Sequence, residues 1–120
     1  MTETHPNLVS VSDHDFDEQV LHSTVPVLVE FTAEWCPPCR AVAPHVARLS
    51  DDYQGKLQFA TMDTDKNMQV PARFGIQGIP TFILFAGGRP VGRIVGPQPG
   101  RLQQTIEHML AEADTEAARA

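Results

Sequence analysis

The run VPVLVEF, residues 25–31, is almost continuously apolar. A run of that kind is what a strand covered on both faces requires. TFILF, residues 81–85, is a second one. The chain must therefore bring helices to both sides of a sheet, and the remaining segments supply them. LVSV (8–11) reads as a short strand, KLQFATM (56–62) alternates like one, and VGRIV (91–95) follows the turn residues of AGGRP as a hairpin partner. Between them, Ser12 can cap a helix whose third position is Asp15, with Phe16 and Val20 on one face. Val42, Val46, Leu49 and Tyr53 repeat at helical spacing, DKNMQVPARF reads as a short helix, and a closing helix after QPGR aligns Leu102, Ile106, Met109 and Leu110. The order is β-α-β-α-β-α-β-β-α. Strands separated by helices imply parallel crossovers, and the last pair an antiparallel hairpin. The expected class is α/β, one mixed sheet with helices on both faces.

The 120 residues suffice for one domain, and 42% apolar content supplies a core. Residues 1–7 read as an N-terminal extension, 8–110 as the domain, and 111–120 as a polar, Ala-rich tail that is either a frayed helix end or solvated. A net charge of −6 and a pI near 5.2 lack the basic stripe of a nucleic-acid binder. No apolar run approaches the roughly 20 residues of a membrane helix. The start, MTETHPNLVS, has neither a basic segment nor an apolar h-region. A soluble, cytoplasmic monomer is expected.

The only two cysteines lie in AEWCPPCR (33–40), where a buried strand meets the longest helix. A cysteine at a helix N-cap sees unpaired N–H groups and the positive end of the helix dipole, which together stabilise a thiolate. Cys36 is placed there, on the surface. Pro37 and Pro38 then occupy the first turn, where a missing N–H costs little. Pro38 removes the second helical N–H, so the Cys39 N–H becomes the natural donor to the Cys36 sulfur. Cys39 is near enough to attack a mixed disulfide formed at Cys36. A zinc site would need two further ligands that this spacing does not provide, and His45 falls off the same helical face. Two inert thiols are the remaining alternative. A CxxC pair on a βαβ pattern points instead to redox chemistry, with no bound cofactor or metal.

VLVEFTAEWCPPCR, YQGKLQFATMDTDKN, RFGIQGIPTFILF and the GG before VGRIVG together resemble the thioredoxin family, in order, from about residue 8 to 110. The resemblance implies the thioredoxin fold, a five-stranded mixed sheet flanked by four helices. It implies a protein-disulfide reductase in which Cys36 attacks and Cys39 resolves. Electrons would come from NADPH through a thioredoxin reductase and pass to disulfide-containing target proteins. By the same resemblance Pro80 is a cis-proline beside the redox pair, and the Ile79 backbone pairs with an incoming target strand. Trp35, Pro37, Ile79, Pro80 and Gly96 would form an apolar rim around Cys36, and Glu30 would take the proton of Cys39.

Five positions depart from the pattern or bear on it. Glu30 replaces an aspartate, and either is buried with a raised pKa or reaches water at the sheet end. Thr61 stands where a lysine often partners that acid, Thr32 replaces a tryptophan, and Pro37 replaces a glycine. Pro44, which matches the family, should kink its helix. Two other functions share these residues: an oxidase or isomerase with a more oxidising pair, and a binding module in which the pair is incidental.

Overall fold

The computed structural model describes residues 4–98 and 100–119. Residues 1–3 of the N-terminal extension, Pro99 of QPGR and Ala120 of the tail lie outside the described residues. Five strands, β1 (Leu8–Ser10), β2 (Val27–Thr32), β3 (Gln58–Asp63), β4 (Thr81–Ala86) and β5 (Arg89–Val95), form one sheet in the order β1-β3-β2-β4-β5. Four helices flank it: α1 (Asp17–Leu21), α2 (Pro37–Asp52), α3 (Gln69–Arg73) and α4 (Leu102–Arg119). The thioredoxin fold expected from the sequence is the one observed.

The two apolar runs occupy the middle of the sheet. Alternate side chains of β2 feed two separate cores. Leu28 joins Phe82, Leu84 and Ile94 beneath Val42, Val46 and Leu49 of α2 and Leu102, Ile106 and Met109 of α4. Val27, Val29 and Phe31 face the other way, toward Phe16, Val20 and Val70. There the Phe85 ring meets both Phe16 and Phe74 edge-on. The helices at α2 and α4 therefore cover one face, and α1 and α3 the other.

Two local expectations are corrected, and a third, left open between two alternatives, is narrowed. First, β3 and β2 run parallel, but β4 runs antiparallel to β2 although a helix precedes it. That helix, α3, has five residues and spans about 7.5 Å, too short to carry the chain back along a six-residue strand of about 20 Å. Second, α1 is π-helical. Ser12 does not cap it through its hydroxyl oxygen; instead the Asp15 carboxylate accepts from the Ser12 N–H at 2.7 Å and hydroxyl at 3.2 Å. Third, residues 111–119 continue α4. Of the two alternatives for the tail, the helical one holds there.

The hairpin turn is built from Gly87 and Gly88, with φ of +62° and +80°, the pair of left-handed conformations a two-residue turn of type I′ needs. Gly92 on β5 has another purpose. A Cβ there would overlap the Met109 side chain of α4, which is itself buried. Gly92→Ala is expected to lose about 1–3 kcal/mol through overpacking. Urea unfolding would show this as a lower midpoint at unchanged slope; an unchanged midpoint would mean that Met109 yields freely.

Candidate active site

The C-terminal ends of β1, β2 and β3 and the start of β4 lie at one edge of the sheet, because Phe31 pairs with Thr81. α2 starts from this edge. Cys36 is its N-cap, with φ −88° and ψ 109°, and Pro37 and Pro38 fill the first turn. The Cys39 N–H, the first donor the prolines leave, lies 3.3 Å from the Cys36 sulfur. The two sulfurs are at disulfide-bonding distance, with Cα atoms 5.2 Å apart. Pro44 sits on the exposed side of α2, which runs through it; lacking an N–H, it cannot donate to the Arg40 carbonyl.

Cys36 is not the surface position that its flanking prolines suggested. It is 2% exposed and clusters with Ala33 and Cys39, with Ile79 packed against them. The Cys36 sulfur lies 3.9 Å from the Ile79 carbonyl oxygen. The Ile79–Pro80 peptide is cis, and the Pro80 carbonyl accepts from the Gly96 N–H at 2.9 Å. Gly96 has φ +94°, a conformation that side-chain-bearing residues rarely adopt. Cys36, Cys39, Ile79, Pro80 and Gly96 thus form one connected group, and Pro37 lies exposed beside it.

Trp35 is 64% exposed. With Ile79, Met68, Pro71, Ala72 and Ile76 it lines a groove of about 350 Å³. The indole is held by its N–H, which donates to Asp65 Oδ2 at 2.6 Å. Met68, 80% exposed, is the most exposed large apolar side chain among the described residues.

Glu30 stands apart. Its strand neighbours are Thr61 on β3 and Phe82 on β4. It is 4% exposed, Oε2 is buried without a hydrogen-bond partner, and no ion pair reaches it among the described residues. Of its two alternatives, burial is the one observed. Burial pushes its carboxyl up to about 7 from 4.5. Glu30 follows the alternation of Leu28 and so points to the side of the sheet that carries α2. No hydrogen bond joins it to either cysteine among the described residues.

Sequence reasoning missed Asp65, Met68 and Asp13. Asp65 is thirty residues from the tryptophan it holds, and nothing in TMDTDKN marks one acid among several. Met68 sits in a segment whose helical period says nothing of its exposure. Asp13 accepts three backbone N–H groups from Met68, Gln69 and Val70. Partial burial acts to raise its pKa, but those three bonds outweigh it and hold the carboxyl below its ordinary value.

Among the described residues no group of three or more His, Cys, Asp or Glu side chains is placed to hold a metal, and no helix is long and apolar enough to cross a membrane. The family model described as Thioredoxin matches residues 7–108. The chain is 46% identical over 101 residues to Thioredoxin 1 of Nostoc sp., covering 83% of this chain and 94% of that protein. It is 41% identical over 90 residues to a thioredoxin of Pseudomonas aeruginosa, covering 75% and 83%. A chloroplastic thioredoxin M4 of Arabidopsis thaliana is 44% identical over 108 residues, 89% of this chain and 54% of the plant protein.

Proposed function

The chain belongs to the thioredoxin family, a thiol-disulfide oxidoreductase working by dithiol–disulfide exchange, and from that premise we propose that it reduces the disulfides of partner proteins with Cys36 as nucleophile and Cys39 as resolving thiol. The observation that carries the assignment is the N-cap itself. The helix end and the Cys39 N–H both favour negative charge on the Cys36 sulfur, which is the N-cap, while Cys39 lies inside the first turn.

In the first half-reaction the Cys36 thiolate attacks one sulfur of the target disulfide. A mixed disulfide forms and the other target sulfur leaves as a thiolate that takes a proton from solvent. In the second, the Cys39 thiol gives up its proton and attacks the Cys36 sulfur. The second target thiolate departs, the Cys36–Cys39 disulfide closes, and two electrons have passed to the target. Glu30, whose carboxyl titrates near neutrality, is the base proposed for the Cys39 proton. Trp35, Pro37, Ile79, Pro80 and Gly96 form the docking rim, with the Ile79 carbonyl offered to the target backbone.

The oxidised pair is returned to the dithiol by NADPH through a thioredoxin reductase. We place the protein in the cytoplasm as a monomer, since this direction of electron flow suits a reducing compartment.

Equilibration with glutathione buffers tests the direction. A reductase should settle at about −270 mV, and a value near −180 mV would instead mark an isomerase-like pair. Pro37, where the family commonly has glycine, restricts the loop in both redox forms. Pro37→Gly is the variant that reads its contribution to that potential.

A further inference from the structure

The Trp35 groove is lined in part by α3, a helix of five residues whose N-cap residue, Met68, makes no side-chain cap. Its N-terminal donors are satisfied from elsewhere in the chain. Asp13, in the loop between β1 and α1, accepts the Met68 and Gln69 N–H groups on Oδ2 at 3.0 and 2.9 Å, and the Val70 N–H on Oδ1 at 2.8 Å. The Asp13 N–H in turn donates to Asn67 Oδ1 at 2.8 Å. The polar chain does not stop there. Asn67 Nδ2 donates to the Asp63 carbonyl at 2.9 Å, and the Asp65 N–H to Asp63 Oδ1 at 2.8 Å. Asp65 then holds the Trp35 indole. One hydrogen-bonded network therefore ties together Met68 and Trp35, both of which line the groove.

We propose that Asp13 is a positioning residue for target docking: its carboxylate clasps residues 68–70 to the β1–α1 loop and so sets the width of the groove between Trp35 and Met68. Asp13 touches neither cysteine, so it acts on how a protein target is held and leaves the exchange step alone. A short helix without its own cap has little else to fix its start. A displacement of the order of 1 Å in a docking wall is enough to change binding strongly. The proposal rests on the reductase reading for its functional half, while the clasp itself does not.

Two variants and two disulfides test it. Asp13→Ala removes all three acceptor bonds. Asp13→Asn keeps one acceptor oxygen and can retain the Met68 and Gln69 bonds. For reduction of insulin, Asp13→Ala should raise KM about tenfold with kcat within twofold of wild type, and Asp13→Asn should fall between. For the small disulfide dithiobis-nitrobenzoate, which does not span the groove, rates should agree within twofold. Quenching of Trp35 fluorescence by acrylamide should rise at least about twofold in Asp13→Ala and stay near wild type in Asp13→Asn. Equal losses on both disulfides, an unchanged KM for insulin, or unchanged quenching would overturn the proposal. Should Asp13→Ala not fold, the insulin KM of Asp13→Asn decides it: a value raised above wild type supports the clasp, and a wild-type value would overturn it. A wild type inactive on both disulfides would count against the reductase reading, and the quenching comparison would still decide whether Asp13 holds the groove.

Discussion

Cys36→Ser should abolish disulfide reduction, with a loss on the order of 10⁴-fold or more, while Cys39→Ser should stop after the first half-reaction. The asymmetry follows from the helix end. Cys36 is the N-cap, and among the described residues it is the Cys36 sulfur that faces a backbone donor, the Cys39 N–H. A serine hydroxyl at the cap accepts the same hydrogen bond but does not ionise near neutral pH, so the fold should survive and the chemistry should not. Cys39→Ser keeps the attacking thiol and removes the resolving one. It should accumulate a covalent adduct with a disulfide target, visible by mass and released by dithiothreitol. Comparable turnover by Cys36→Ser and wild type would remove Cys36 from the mechanism, and adducts trapped by Cys36→Ser would exchange the two roles.

Replacing Glu30 by leucine should stabilise the protein, and the gain should grow with pH. Glu30 is buried between Thr61 and Phe82, its Oε2 is unpartnered, and its carboxyl is pushed up to about 7 by that burial. The sign follows from proton counting. Between 4.5 and 7 the folded chain holds a proton that the unfolded chain has released, so wild-type stability falls as pH rises through that window and levels off above it. A displacement from 4.5 to about 7 corresponds to about 3 kcal/mol. Glu30→Leu should therefore exceed wild type by up to about 3 kcal/mol in urea unfolding at pH 8, and by much less at pH 4.5. A gain independent of pH would mean that packing, not the buried charge, sets the difference. The proton relay proposed for Glu30 is separable from this. Glu30→Gln should slow closure of the Cys36–Cys39 disulfide and flatten its pH dependence near 7; unchanged rate and profile would end that role.

Local periodicity made much of the fold legible. Val42, Val46 and Leu49 define α2 because one helix face meets one core, and TFILF and VPVLVEF define the central strands because both faces are covered. The N-cap chemistry was legible for the same reason: Cys36, the prolines and the Cys39 N–H are neighbours in the chain. What stayed hidden depends on partners far apart in sequence. The sense of β4 is set by how little distance α3 covers, which a helical pattern over DKNMQVPARF does not reveal. The burial of Cys36 comes from Ala33 together with Ile79, forty-three residues away. The Asp65 contact to Trp35 and the Asp13 contacts to α3 are of the same kind. The family resemblance conveyed the cis-proline, which no spacing argument would have supplied.

The sheet order has a further consequence for the newly made chain. β2 carries the redox pair at its end, yet one of its two neighbours is β4, which leaves the ribosome well after Cys39 does. Until then Val27–Thr32 has an open edge, and Pro80 and Gly96 have not been made. The two thiols thus emerge before the residue that packs over Cys36, on an unfinished scaffold. Burial of Cys36 against Ile79 therefore waits until the chain has been made past residue 79.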